Sequence, residues 1–321
     1  MSVLLRIRWM SLLAATVLLG IVLGIVTKSF GSAYNIYVIL QTAALDTVIG
    51  ASQMVVLAAG DLSLAVGGLA ALSTVAVGYL FEVQHWPSAL AVLGGLAIGM
   101  VGGFLNGIII SGTKLSGFIV TLATGTAFTG IAYGITSSNA YSDVPSWVLR
   151  LAQGRAGFFP YVMFVALAVT AVMYAVLRWF PDGRLILAFG GNREATLLSG
   201  LSSRRAQIIA HTASGLLAAI AAVIYMGTIG TATPATGSDW LIVSFAVPII
   251  GGTALVGGEA SAFGGLIAAI VLATISDALI VLNVNNDAVE LAEGLLILAA
   301  VLASRLGSSG RWAQVPRGSR A

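Results

Sequence analysis

The chain has 321 residues, of which 58% are hydrophobic and 8% charged, with a mean hydropathy of +1.01 and a formal net charge of +3. A soluble domain carries roughly 25% charged residues, so the composition excludes a water-soluble globular protein and defines an integral membrane protein. There is no cysteine, which removes disulfides and thiolate metal sites.

A span needs about 20 apolar residues. The apolar runs here are continuous, not alternating, which predicts helices in place of a closed barrel. The opening "MSVLLRIRWMSLLAATVLLGIVLGIV" is basic and then apolar like a signal peptide, but its apolar run is long and no small-x-small site follows cleanly, so it reads as a first span at 9–27. Further spans are expected at 36–58, 62–81, 88–110, 115–136, 160–180, 208–229, 241–257, 262–282 and 288–304, giving an all-α bundle of about ten. With the N-terminus inside, Arg6, Arg8, Lys114, Arg178, Arg184, Arg193, Arg204, Arg205, Arg305, Arg311, Arg317 and Arg320 fall in the cytoplasm, and only Lys28, Arg150 and Arg155 outside. That asymmetry satisfies the positive-inside rule and predicts cytoplasmic termini. The bases are spread over loops and form no nucleic-acid face. Residues 1–308 are expected to form the transmembrane unit and 309–321 a cytoplasmic tail. Within the tail "VPRGSR" reads either as a protease-recognition scar or as a native basic end.

A weak repeat relates "GDLSLAVGGLAA" from Gly60 to "GEASAFGGLIAA" from Gly258. Glycine-broken segments in corresponding places mark a transport pathway when the broken backbone lines a cavity; they also serve as close helix contacts. Six spans between the copies predict the same orientation, and a re-entrant copy would predict the inverted one.

The most polar passage is "GGNREATLLSGLSSRRAQ", Gly190 to Gln207, in the longest expected cytoplasmic loop, about 181–207. Asn192 suits an N-cap, Glu194 falls in the first turn and Gly200 suits a stop, which predicts a two-turn helix. Ala195, Leu197, Leu198 and Leu201 would face a partner or the membrane surface, leaving Arg193 and Glu194 for polar contacts. An interfacial helix on anionic lipid, with Arg204 and Arg205 at the headgroups, is the alternative.

Acids in mid-span are functional candidates because they are costly there. Asp46 lies near the middle of the second span, with Gln53 on nearly the same face and Gln41 less well aligned. Asp277, Glu290 and Glu293 fall nearer span ends. No lysine or arginine lies in a span core, so nothing there pairs an anion. Asp61, Ser63, Ser73, Asn106, Thr121, Thr124 and Thr126 offer hydroxyls, an amide and a carboxylate along the path, a set that suits a neutral polyol. His85 and His211 have no neighbouring ligand, so neither metal nor catalytic residues are expected.

"GDLSLAVGG", "GFLNGIIISGTKLSGFIVTLAT", "GGNREATLLSGL" and "PIIGGTALVGGEASAFGG" occur in the order seen in permease subunits of bacterial ABC importers of the ribose and branched-chain amino acid type. The chain resembles that family from about residue 36 to 304, and within it the sugar permeases of ribose, xylose and autoinducer-2 type. It departs at Gly117, where a proline is common, and at Ala123 and Ala260, where glycine is usual. The resemblance implies an inner-membrane protein that pairs with a second permease, binds cytoplasmic ATP-binding subunits and receives solute from a periplasmic binding protein. It implies no cofactor. "GIIISGTK", ending at Lys114, places threonine before lysine at a span end and reads as a turn, so a partner hydrolyses ATP. By the same resemblance the helix of Asn192, Arg193, Glu194, Ala195, Leu198 and Gly200 is the coupling helix. An ion-coupled secondary transporter, with Asp46 or Asp277 binding the ion, is the competing function.

Overall fold

The computed structural model describes residues 30–282 except 114, with isolated positions between 17 and 24 and between 284 and 298. The expected first and last spans lie outside the described residues apart from those isolated positions, and Glu290, Glu293, Lys114 and the tail lie wholly outside them.

Helix α1 (Ala33–Ala58) starts where the Ser32 side chain accepts the Asn35 amide, and it is buried along most of its length. It leads through a non-helical connection to α2 (Val66–Gly78), which ends in a π-helical turn over Tyr79–Val83. Then come α3 (Ser88–Gly112), α4 (Gly117–Thr136), the short α5 (Ser146–Gln153), a two-stranded hairpin of β1 (Arg155–Ala156) and β2 (Phe159–Pro160), and α6 (Val162–Trp179). The arm α7 (Pro181–Gly191) and α8 (Arg193–Leu198) precedes α9 (Ser203–Ile229), α10 (Trp240–Ile250) and α11 (Ala262–Val281). Seven of these, α1, α2 with its π turn, α3, α4, α6, α9 and α11, are long and apolar enough to cross a membrane. The fold is thus a polytopic helical bundle.

Small residues set its packing. Gly99, Gly103 and Gly107 of α3 lie against Gly215, Ala219, His211 and Ile208 of α9 so closely that a Cβ at any of them would clash. In an apolar solvent helices gain little from burying apolar area against each other, so close main-chain approach supplies dispersion contacts instead. At one end of the bundle α5 is tied down by polar contacts: Gln41 Nε2 donates to Ala152 O (2.7 Å), Tyr37 Oη to Gln153 O (3.1 Å) and Gln153 Nε2 to Gly227 O (3.0 Å). Asn35 Nδ2 donates to Asp277 Oδ2 at 2.6 Å, joining α1 to α11. The loops 59–65 and 251–261, residues 113, 115 and 116, and the α7–α8 arm gather at the opposite end.

Two expected spans differ from the helices found. The stretch 62–81 becomes helical only at Val66, and the stretch 241–257 only between Trp240 and Ile250. Hydropathy averages over these breaks, whereas the backbone obeys its glycines: Gly60, Gly252, Gly257 and Gly258 all take positive φ. Likewise the expected cytoplasmic loop 181–207 is mostly helical, containing α7, α8 and the start of α9.

Candidate functional site

Two cavities flank the non-helical stretch between α1 and α2. Leu62 lies against Gly117 at the start of α4, and Leu64 and Ala65 lie against Gly125, two turns further along. Residues 62–65 therefore run about 12 Å beside α4, at 1.5 Å per helical residue. In a membrane such backbone is stable only if protein satisfies it, and two side chains do so. With its amide oriented to satisfy both groups, fully buried Gln53 donates Nε2 to Ser63 O (2.9 Å) and accepts from Ser63 N at Oε1 (3.2 Å). Thr121 Oγ1 accepts from Leu64 N at 2.9 Å and donates to Gly117 O at 2.7 Å.

A second irregular stretch enters from the other end. Ala232 exchanges both backbone hydrogen bonds with Tyr141, at 2.9 Å each, beside Gly78 near the end of α2. Gly237 then touches Gly67 at the start of α2, leaving no room for a Cβ on either. Residues 232–237 thus follow about 16 Å of α2 before the half-length α10 begins. Between this stretch, the first turn of α2 and one face of α4 lies a cavity of about 550 Å³. Its polar lining is Thr126, Thr129, Tyr133, Thr236 and Ser238, its other walls are apolar or glycine, and it contains no charged residue.

The second cavity, about 600 Å³, lies among the loops at the arm end and is lined by Gly60, Asp61, Ser111, Thr113, Asn192, Arg193 and Gln207, with others. Asp61 is its centre of charge. Gln207 Nε2 donates to Oδ2 at 3.0 Å, Arg193 Nη2 stands 3.8 Å from Oδ1, and His211 Nε2 stands 3.9 Å from Oδ2. The imidazole is short of hydrogen-bond contact at that distance. Burial pushes the Asp61 carboxyl up, but the facing His211 and Gln207 and the Arg193 charge outweigh it and hold the group below the usual carboxylate range.

The arm joins this cavity directly. Asn192 Oδ1 accepts from Ala195 N at 2.9 Å, capping α8, and Gly200 follows with φ +74°. Leu198 at its tip is 90% exposed, and Leu197, Leu201 and Glu194 also face outward. Arg193 lies over the arm itself, its guanidinium 4.6 Å above the Phe189 ring, with its side chain 57% exposed. Behind it Gly190 packs on the Ala58 carbonyl and on Gly258, and Gly258 N donates to Ala58 O at 3.0 Å. The two repeat copies therefore meet at the same end, and the helices they open, α2 and α11, leave it in the same direction. They are not equivalent: Ser261 caps α11 directly, accepting from Gly264 N, whereas Ser63 is held by Gln53 three residues before α2. The one-residue difference in spacing between the copies falls there.

Of the path candidates, Asp61 lines the arm-end cavity; Asp46, Gln53, Ser63, Asn106, Thr121 and Thr124 line neither. Asp46 and Asn106 are buried in α1 and α3, and Thr124 Oγ1 donates to Val120 O at 3.0 Å. The uncharged lining of the cavity beside α4 includes Thr126, expected on the path, and also Thr129, Tyr133, Thr236 and Ser238, which sequence alone does not single out. The signal available was the four-residue spacing of Thr126 with Gly130 and of Thr129 with Tyr133 on α4, together with "TPATGSD" before Trp240.

A helical membrane protein built around broken spans, with a capped polar arm at one end and an uncharged cavity open beside α4, has the form of a transport subunit. Residues 38–301 match the family described as the branched-chain amino acid transport system / permease component. The chain belongs to this family and is the permease subunit of an ABC importer, a transport component. It is 30% identical over 297 residues to the ribose import permease of Haemophilus influenzae, covering 91% of each chain. It is 31% identical over 294 residues to that of Bacillus subtilis, again 91% of each. With the fructose import permease of Rhizobium meliloti it shares 30% over 298 residues, 90% of this chain and 82% of the relative. No solved structure matches it.

Proposed function

We propose that this permease carries a sugar or similar neutral polyol across the bacterial inner membrane, from a periplasmic binding protein to the cytoplasm, by alternating access. The observation that carries this is the 550 Å³ cavity, which sets four hydroxyl side chains and a tyrosine among apolar and glycine walls and carries no charge. Hydroxyls and one aromatic face fit a polyol, and an anion would find no cation there. The ribose and fructose permeases among the relatives support the same class.

In this reading the path runs through the cavity beside α4 to the arm-end one. Gln53, Ser63 and Thr121 shape it through the backbone they hold, while Asp46, Asn106 and Thr124 act as packing or lining of the surrounding helices. Residues 1–308 form one ten-span unit with both termini cytoplasmic, and 309–321 form a tail. The described bases fit that orientation: Arg178, Arg184, Arg193, Arg204 and Arg205 lie at the arm end, Arg150 and Arg155 at the other. Asn192, Arg193, Glu194, Ala195, Leu198 and Gly200 form the coupling element that docks in a cytoplasmic ATP-binding subunit. A second permease subunit completes the membrane part, and lipid covers the remaining apolar faces.

The test is reconstitution with the ATP-binding subunit and the solute-binding protein in proteoliposomes. Labelled ribose, allose or fructose should enter only with ATP. Uptake by the permease alone on a proton or sodium gradient would overturn the reading in favour of a secondary transporter.

A further inference from the structure

The two cavities are separated by very little chain. Asp61 lines one, and Leu64, three residues on, lines the other. The intervening backbone belongs to no helix, and it is suspended between Gln53 on α1 and Thr121 on α4. Whatever moves Asp61 therefore pulls on the partition between the cavities.

The arm touches the chain just ahead of this partition at two points. Gly190 packs on the Ala58 carbonyl and beside Gly257, next to Gly60. Arg193 faces Asp61 at 3.8 Å, while its stacking on Phe189 fixes the guanidinium to α7, so it travels with the arm. Gln207 and His211, one turn apart on α9, approach the same carboxylate from the spanning helix. Asp61 is thus where the arm, a membrane span and the partition converge. Its counterpart in the second repeat, Glu259, is exposed.

We propose that Asp61 is the positioning residue through which the α7–α8 arm moves the Leu62–Ala65 partition, with the Arg193 cation as its handle. This rests on the reading of the chain as an ATP-driven permease. Arg193 transmits by charge: when the arm shifts, the attraction draws Asp61, and the clamped residues behind it, away from or into the line between the cavities. A neutral side chain at 193 leaves the partition unmoved.

The test uses the assembled transporter in proteoliposomes, with three readouts: retention of the ATP-binding subunit, ATP hydrolysis and solute uptake. Asp61→Asn should retain the subunit and hydrolyse ATP within about twofold of the parent rate, while uptake falls at least tenfold. Arg193→Lys should keep uptake and Arg193→Gln should not. Because this chain has no cysteine, Arg193→Cys permits a switch within one preparation, with the parent transporter treated identically as control. Reaction with 2-aminoethyl methanethiosulfonate, which restores a cation, should recover uptake, and a reductant should abolish it again. The uncharged ethyl reagent should not recover it. Normal uptake by Asp61→Asn, rescue by the uncharged reagent, or uptake lost only in proportion to lost subunit would each overturn the proposal. ATP-independent uptake by the parent would instead sink the transporter reading on which it rests.

Discussion

Gln53 grips Ser63 by both of its backbone groups, from a side chain that is itself fully buried. One amide thereby replaces the hydrogen bonds that a helix would have supplied to the partition. Gln53→Leu would strand a buried N–H and a buried C=O, at a cost of about 1–3 kcal/mol each. Thermal unfolding in detergent should show a clear fall in midpoint, larger than for the same change at Gln84, whose side chain bonds only to Tyr79 in an exposed loop.

Thr121 holds the same strand of backbone from the other side. Thr121→Val keeps the shape and removes the acceptor for Leu64 N, and should destabilise by about 1–3 kcal/mol; Thr121→Ser should behave almost as the parent. An unfolding midpoint unchanged in the valine variant would show that Leu64 N is satisfied elsewhere.

Glycines separate into two kinds by what surrounds them. A Cβ at Gly190 would collide with the Ala58 carbonyl and stand 2.7 Å from Gly258 N, whereas one at Gly134 meets nothing within 4 Å. Gly190→Ala should therefore destabilise by about 1–3 kcal/mol through overpacking. Gly134→Ala should be neutral or stabilising by up to about 1 kcal/mol, the gain in helix propensity. The pair is read side by side by differential scanning calorimetry.

The Asp61 carboxyl carries a pH signature. Its folded pKa lies below its unfolded one, so the folded state binds fewer protons there and gains stability as pH rises. That contribution is complete above the unfolded value of about 3.9 and is lost only as pH falls through the folded pKa. The stability gap between the parent and Asp61→Asn should stay level from pH 8 to pH 5 and narrow below about pH 4. A gap that changes most between pH 8 and pH 6 would mean that another group governs it.

The arm tip offers a contrast with these interior sites. Leu198 is almost wholly exposed and makes no core contact, so Leu198→Asp should leave unfolding unchanged while weakening retention of the ATP-binding subunit by about tenfold or more, the loss expected of a truncated anchor worth 1.4 kcal/mol or above. Pull-down of the subunit from mixed membranes reads this directly.

Much of the architecture is legible in the sequence because lipid imposes a single rule, long apolar helices, and the chain obeys it at α1, α3, α4, α6, α9 and α11. The short α8 was equally legible, since Asn192, Glu194 and Gly200 each have a local reason for their place. The breaks were legible only as one of two readings in the repeat, and not at all in "TATPATG". "GDLSL" and "TATPATG" are as apolar or as small as helix-packing segments, and only tertiary contact decides whether glycine serves a helix crossing or a non-helical run. Gln53 and Thr121 read as path residues because they are polar in a span; that they spend their polarity on backbone depends on where residues 62–65 lie. The lining of the cavity beside α4 escaped for the opposite reason, as threonines on an apolar helix resemble ordinary packing residues until the facing segment is in place.

The first turn of α2 is held between two main chains, Gly237 on one side through Gly67 and Gly125 on the other through Gly68. No side chain stands in either gap to rotate, compress or absorb a shift. Backbone bears on backbone at both contacts, so a displacement of residues 232–237 meets no flexible side chain before α4 that could take it up. Two glycines, Gly67 and Gly68, are all that spaces residues 232–237 from α4 at this level.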